Sequence, residues 1–346
     1  MRDFVRPTTP LILFILFVCG LLFMFMAPPV RVLAFNFAHG GDLLWYIRTG
    51  FHRSLLYFYD YNTGTTAEVA QLALIPDAPT LLVADPDSQD GVFLVNGSTL
   101  TRFSPHGSSG SLNLPLSHEE WIQQAAWENE HGKTSWYFLI RKGNAGRLVK
   151  GYFQEDRWVQ TLVGVDGPYQ HQDFWLTQLA GEESSGVWLQ VYRATKFDPK
   201  PDNRPWLYAV TPTGFEPRWL GSRLSLPFKT LRPMAATDGP KLLAVENSGT
   251  ESYLHLYGPH VFGPKSLARS PALPEIRTLQ VIAQEIYVEV GEEIRAFRWD
   301  NGLLLEKRRW KIPRDALAWT FPPDPERSGL WLARRGVRKM EGDGMR

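Results

Sequence analysis

Leu55-Leu56-Tyr57-Phe58-Tyr59-Asp60-Tyr61-Asn62-Thr63-Gly64 is an aromatic-rich run that ends in a cluster of turn formers. Its first half suits an extended strand, because aromatic side chains pack well on a pleated surface. Its second half reverses the chain, since Asp and Asn bond to nearby backbone and Gly tolerates positive φ. The same design returns in Trp206-Leu207-Tyr208-Ala209-Val210-Thr211-Pro212-Thr213-Gly214 and in Glu293-Ile294-Arg295-Ala296-Phe297-Arg298-Trp299-Asp300-Asn301-Gly302. The last closes on Asn-Gly, the favoured two-residue hairpin turn. Weaker versions occupy Thr99 to Gly107, Leu148 to Asp156 and Tyr253 to Pro259.

With Gly64, Gly107, Asp156, Gly214, Pro259 and Gly302 as equivalent turns, the spacings are 43, 49, 58, 45 and 43 residues. The 58 contains a Lys-, Asp- and Pro-rich loop of 11 residues, Ala194 to Arg204, and falls to 47 without it. A period near 45 with about four short strands per unit is the pattern of an all-β chain built as a β-propeller. Candidate strands number three from Asp42 to Leu74, four in each of five units up to Ile312, and three from Arg314 to Glu341. Val30 to Phe37 adds one, giving 27, which favours seven blades and leaves six as the runner-up. The incomplete end units predict a ring closed by pairing the two chain ends, which would remove an exposed sheet edge.

Composition agrees. Of 346 residues, 44% are hydrophobic and 21% charged, which excludes a chain disordered throughout. The 29 Gly and 26 Pro fit frequent turns rather than long helices.

Residues 7 to 30 carry no charge, and Leu11 to Ala27 is an unbroken apolar run of 17, at the lower limit for a membrane-spanning helix. A cleaved signal has a shorter apolar region, so the run reads as a retained anchor, with Val32-Leu33-Ala34 as the alternative cleavage site. Arg2 and Arg6 precede the run and Arg31 follows it, so the positive-inside bias places the amino terminus in the cytoplasm. The expected division is therefore a cytoplasmic stub and transmembrane signal-anchor over 1–34 and an ectodomain over 35–346, periplasmic or extracellular. Cys19 is the one cysteine and lies inside the run, so the ectodomain has neither disulfide nor thiol nucleophile.

The units resemble the WD40-like and quinoprotein-like propellers of bacterial exported proteins over most of residues 42 to 341. Asp60-Tyr61-Asn62-Thr63-Gly64 matches the Asp-x-x-Thr-Gly core of quinoprotein-type blades, but Glu68 stands where those blades carry a docking Trp. Trp219 and Trp310 approach that role out of register.

Chemistry-bearing patterns are few. Gly107-Ser108-Ser109-Gly110-Ser111 is no Gly-x-Ser-x-Gly elbow and reads as a hairpin. The eight histidines form no His-x-His or His-Glu-x-x-His pair, and His255 reads as a packed or hydrogen-bonded strand residue. Asp85-Pro86-Asp87-Ser88-Gln89-Asp90-Gly91 approximates a calcium loop, with its third Asp and Gly one position late, and reads better as a polar turn. Asn96-Gly97-Ser98 is a glycosylation triplet, but Asn-Gly reads as a hairpin turn. The 13 tryptophans suit sugar stacking, yet Trp136, Trp188, Trp206 and Trp331 sit in apolar strand runs where rings fill space between blades. No catalytic residue, metal ligand or cofactor is assigned, and no nucleic acid is expected.

Charge is unevenly placed. Residues 303 to 346 hold 11 Lys or Arg against 6 Asp or Glu, while residues 35 to 302 hold 23 against 29. Lys307, Arg308, Arg309, Lys311, Arg314, Arg334, Arg335, Arg338 and Lys339 supply most of the excess and form the candidate interaction surface, for a protein partner or anionic lipid headgroups. The functional expectation is a membrane-tethered propeller acting as a protein-binding or assembly module outside the cytoplasm. The alternatives are a propeller enzyme, a glycan hydrolase or lyase or a quinoprotein-like protein, and a glycan-binding module.

Overall fold

The computed structural model describes residues 30–344 apart from 51–52, 131–132, 144, 164–168, 178–185, 194–204, 212–213, 220–227, 235–240, 259–264, 283–284, 301, 325–326, 334–335 and 341, and between 162 and 233 it describes backbone alone. The expected transmembrane segment lies outside the described residues, among which no helix is long and apolar enough to cross a membrane.

Among the described residues, the strands form seven antiparallel sheets in chain order. The first joins β1 (Arg31–Phe37), β2 (Leu43–Gly50), β3 (Arg53–Asp60) and β4 (Thr66–Leu72). The second joins β5 (Thr80–Ala84), β6 (Val92–Asn96), β7 (Thr99–Ser104) and β8 (Gly107–Asn113). The third is β9 (Glu120–Glu130), β10 (Lys133–Lys142), β11 (Ala145–Gln154) and β12 (Arg157–Val163). The fourth is β13 (Tyr169–Thr177), β14 (Gly186–Arg193), β15 (Pro205–Thr211) and β16 (Gly214–Trp219). The fifth comprises β17 (Phe228–Met234), β18 (Lys241–Ser248), β19 (Glu251–Gly258) and β20 (Lys265–Arg269), with β21 (Leu273–Pro274) paired to β19. The sixth comprises β22 (Ile276–Ile282), β23 (Glu285–Val290), β24 (Glu293–Asp300) and β25 (Leu303–Lys311). The seventh has three strands, β26 (Ala316–Thr320), β27 (Leu330–Ala333) and β28 (Gly336–Lys339), because the final β29 (Gly342–Gly344) pairs with β25 instead.

Of the six turn residues used to set the period, Gly64, Asp156 and Gly302 fall between the third and fourth strands of their sheets, Gly107 and Gly214 begin fourth strands, and Pro259 lies outside the described residues. The loop 194–204 behind the longest spacing connects β14 to β15 and lies outside the described residues. First strands of neighbouring sheets adjoin, β1 beside β5, β5 beside β9, β9 beside β13, β13 beside β17, and β26 beside β1.

Among the described side chains, second strands such as β2, β6, β18 and β27 are apolar at consecutive positions because they are buried on both faces. In β2, Leu43, Trp45 and Ile47 pack with Leu82, Val92, Leu94 and Phe103 of the second sheet. Leu44 and Tyr46 turn the other way, onto Leu330 and Leu332 of the seventh. In β6, Val92 and Leu94 face the first sheet while Phe93 and Val95 join Trp136, Phe138 and Ile140 of the third. The core is thus a series of inter-sheet layers, each removing apolar area from water.

Closure differs from the expected pairing of chain ends. β1 pairs with β2, so the first sheet is complete from one continuous segment, and the ring closes by packing of the seventh sheet on the first. The Tyr61 hydroxyl donates to the Ser328 carbonyl at 3.2 Å, and Arg327 Nη1 lies 2.7 Å from Asp42 Oδ1. β1 begins at Arg31, four residues before the expected boundary at Phe35. Arg31 to Ala34 therefore belong to the first sheet.

Candidate functional site

The first strands of three sheets form a recess of about 380 Å³ lined by residues 33–35 of β1, 80–83 of β5 and 124–126 of β9. These side chains are Leu, Ala, Phe, Thr, Val and Gln, and none ionises in the physiological range. The Asn36 amide crosses between first strands to donate to the Leu82 carbonyl at 3.0 Å.

A larger cleft of about 830 Å³ opens between the second and third sheets. Pairing aligns Phe93, Arg102 and Gly110 in one row across β6, β7 and β8. Facing them, Trp136 of β10 meets the Phe93 ring edge-on at 5.4 Å and stacks along its own strand with Phe138. Gly110 has nothing within 4 Å of where a Cβ would stand, so the row ends in open space. Ser109, Ser111, Lys133, Thr134, Asp87, Glu155 and Asp156 border the opening. The aromatic floor and polar rim are the usual composition of a binding recess.

The 85–91 segment beneath this cleft is the β5–β6 turn. Asp85 accepts from Asp87 N–H at 3.0 Å, and the Ser88 hydroxyl accepts from the amides of Asp90 and Gly91. The turn also docks on the first sheet, where Trp45 Nε1 donates to the Asp90 carbonyl at 2.9 Å. The Asp85 carboxylate pairs with Arg102, whose guanidinium also faces the Phe93 ring at 5.7 Å. The polar-turn reading therefore holds. Among the described residues, no three His, Cys, Asp or Glu side chains are grouped to hold a metal.

The Asn96 reading needs a correction of one residue. Asn96 ends β6 and pairs with Thr99, so the turn is Gly97-Ser98, with Gly97 at φ +68°. The Asn96 amide is buried and accepts from Ile75 N–H while facing Pro79 and Thr80, which withdraws it from the surface.

His255 is buried, with Nε2 2.6 Å from Glu246 Oε2 and its ring stacked on Tyr257. Burial in that layer pushes the Tyr257 hydroxyl up to about 12. Trp136 and Trp331 are buried between sheets, while the Trp188 and Trp206 side chains and that of Trp219 lie outside the description. Trp310 is buried against Phe321, ring centroids 4.7 Å apart. Glu68, in the docking-Trp position, accepts from the Tyr57 hydroxyl at 3.1 Å.

The basic residues distribute over two strands and a turn. Lys307, Arg308, Arg309 and Lys311 lie on β25, Arg314 follows it, and Arg338 and Lys339 lie on β28. Arg334 and Arg335 lie outside the described residues. Lys307, Lys311, Arg314, Arg338 and Lys339 are exposed. Arg309 pairs with Glu306, and Arg338 and Lys339 lie over the rings of Trp331 and Tyr61.

Sequence reading missed two arrangements. One is the cleft, whose members span 71 positions from Pro86 to Asp156. The other is a buried group in the third sheet, where Tyr137 donates to Glu128 and Lys150 Nζ lies 3.7 Å from the same carboxylate. No sequence spacing announces either, because both depend on strand register.

No protein-family model and no curated protein sequence matches the chain. Solved structures do. One from Kuenenia stuttgartiensis hydrazine synthase aligns at a TM-score of 0.60 with 9% identity, over 91% of this chain and 95% of that one. The Dos1 propeller aligns at 0.57 with 11% identity, over 90% and 78%. The chain has a β-propeller fold. Oligogalacturonate lyase in complex with manganese aligns at 0.56 with 14% identity, over 90% and 89%. At such identities the likeness concerns the propeller alone, and its sites decide what it does.

Proposed function

We propose that this propeller is a protein-binding or assembly module, tethered to a membrane through residues 11–27 and displayed outside the cytoplasm. The observation that carries the binding reading is the character of the recess lined by β1, β5 and β9. Propeller catalysis by general acids and bases needs ionisable side chains converging on a cavity, whereas residues 33–35, 80–83 and 124–126 wall theirs with apolar and amide groups. Polar and charged side chains gather instead on the cleft between the second and third sheets and on β25 and β28, positions that suit a partner approaching from the side. The uncharged run Leu11 to Ala27 and its flanking arginines support the tether and its orientation.

Seven blades is the count that the seven sheets favour. The exposed Lys307, Lys311, Arg314, Arg338 and Lys339 are proposed to face an acidic partner surface or anionic headgroups near the bilayer.

Affinity capture from detergent-solubilised membranes tests the binding reading, with a stoichiometric partner expected. A propeller that captures nothing and instead turns over a glycan overturns it. A carboxy-terminal reporter active only in the cytoplasm would end the export reading. Arg338→Gln with Lys339→Gln should weaken salt-sensitive binding to anionic vesicles; wild-type protein that ignores such vesicles at low salt removes the lipid version.

A further inference from the structure

We propose that the cleft between the second and third sheets receives an extended basic peptide segment of a partner protein, which lies along β8 and sets an apolar side chain into the open space over Gly110. The inference rests on the binding-module reading and locates its site. Three independent features converge there.

The first is the strand edge. β8 is the outermost strand of its sheet and has no partner on its far side among the described residues. Open edges are normally blunted by charged side chains or proline. Gly107-Ser108-Ser109-Gly110-Ser111-Leu112-Asn113 carries neither, while the outer strands β4, β12, β16, β20 and β28 each carry at least one charge. Its small, exposed side chains leave the backbone donors and acceptors accessible to an added strand.

The second is volume. About 830 Å³ beside that edge is floored by Phe93 and Trp136, and the absent side chain at Gly110 keeps it open. A strand on β8 would direct alternate side chains over Gly110 into this space, as the two-residue period of a strand requires.

The third is charge. Arg102 and Lys133 are outnumbered by Asp87, Glu155 and Asp156, and Arg102 already pairs with Asp87 and with the buried Asp85. The exposed Glu155 and Asp156 therefore give the rim a negative character that complements Lys or Arg flanking the apolar anchor.

The test uses the full chain in detergent and the labelled peptide Lys-Thr-Val-Arg-Leu-Thr-Lys, its twin with Glu in place of each basic residue, and maltohexaose, read by fluorescence polarisation. The basic peptide should bind at least about tenfold tighter than its twin. Gly110→Phe should abolish that binding, as should Ser109→Trp, which fills the same cleft from an exposed position and serves if the first variant misfolds. Glu155→Lys with Asp156→Lys should cost about tenfold and flatten the salt dependence. No binding, equal binding of the twins, binding unchanged by a folded cleft-filling variant, or displacement of the peptide by maltohexaose overturns the proposal. A membrane partner captured equally by wild type and Gly110→Phe would overturn the cleft assignment while leaving the module reading intact. Capture of no partner, with peptide binding retained, would do the reverse.

Discussion

The Asp85 carboxylate, 1% exposed, is gripped by both arms of the Arg102 guanidinium, with Nη2 2.8 Å from Oδ1 and Nε on Oδ2. The pair ties the β5–β6 turn to β7 and sets the cleft floor. Gly91 leaves room for it, since a Cβ there would come within 2.8 Å of Asp85 Oδ2. Replacing one partner strands a buried charge. Arg102→Met should therefore destabilise the propeller by about 3 kcal/mol, within the range for a broken buried pair. Urea denaturation measures this, and a loss under about 1 kcal/mol would mean that water reaches Asp85.

Ring closure by packing makes the seventh sheet indispensable. Leu332 is buried against Leu44 and Tyr46 of the first sheet, so Leu332→Ala should cost about 2–5 kcal/mol. A chain ending at Ile312 would expose this layer together with Tyr287 and Trp310, and should not yield a cooperative thermal transition. A sharp transition in that fragment would argue against closure through the last sheet.

Acid should loosen the entry to the third sheet. Partial desolvation works to raise the Glu120 carboxyl, but the Ser117 amide, Arg147, the Ser117 hydroxyl and Lys142 together outweigh it and hold it below the ordinary 4.5. A depressed folded value contributes stability that is complete above the unfolded value and lost as pH falls through the folded one. Between about pH 5 and pH 3, wild type should therefore lose more stability than Glu120→Gln. Parallel curves for the two proteins over that window would refute the assignment.

The β11–β12 turn is strained at two successive residues. Glu155 and Asp156 adopt φ +49° and +63°, conformations that cost a side-chain-bearing residue about 1 kcal/mol each. Asn and Gly suit these positions in a two-residue hairpin. Glu155→Asn with Asp156→Gly should raise stability by about 1 kcal/mol while removing the carboxylates of the cleft rim. A gain in the midpoint of urea unfolding together with basic-peptide binding weakened by less than about tenfold is the expected result.

Much of the architecture could be read from local sequence because its determinants are local. Asp60 takes the amides of Asn62 and Thr63, and Gly64 N–H returns to the Asp60 carbonyl, so the turn is written in five consecutive residues. Repeating that device near every 45 residues fixes hairpins, and apolar runs such as Leu43 to Ile47 mark strands buried on both faces. The polar character of the 85–91 turn and the packed state of His255 followed from the same local chemistry.

Tertiary structure decided what depends on which faces meet. Tyr61 reaches Ser328 across 267 positions, and no residue pattern at either end distinguishes closure by packing from closure by a shared strand. The basic set that composition grouped as one divides between β25 and β28, with Arg309 drawn to Glu306. Asn96 moved from turn to strand end because its amide satisfies buried backbone near Ile75 and Pro79. The cleft arises only when the Phe93–Arg102–Gly110 row of one sheet is set opposite Trp136 of the next. Sequence governs the turn and the alternation along each strand, because those energies act over a few bonds. The register between strands and the spacing between sheets are set by side chains far apart in the chain competing to fill the same volume, and it is there that the candidate binding surface is made.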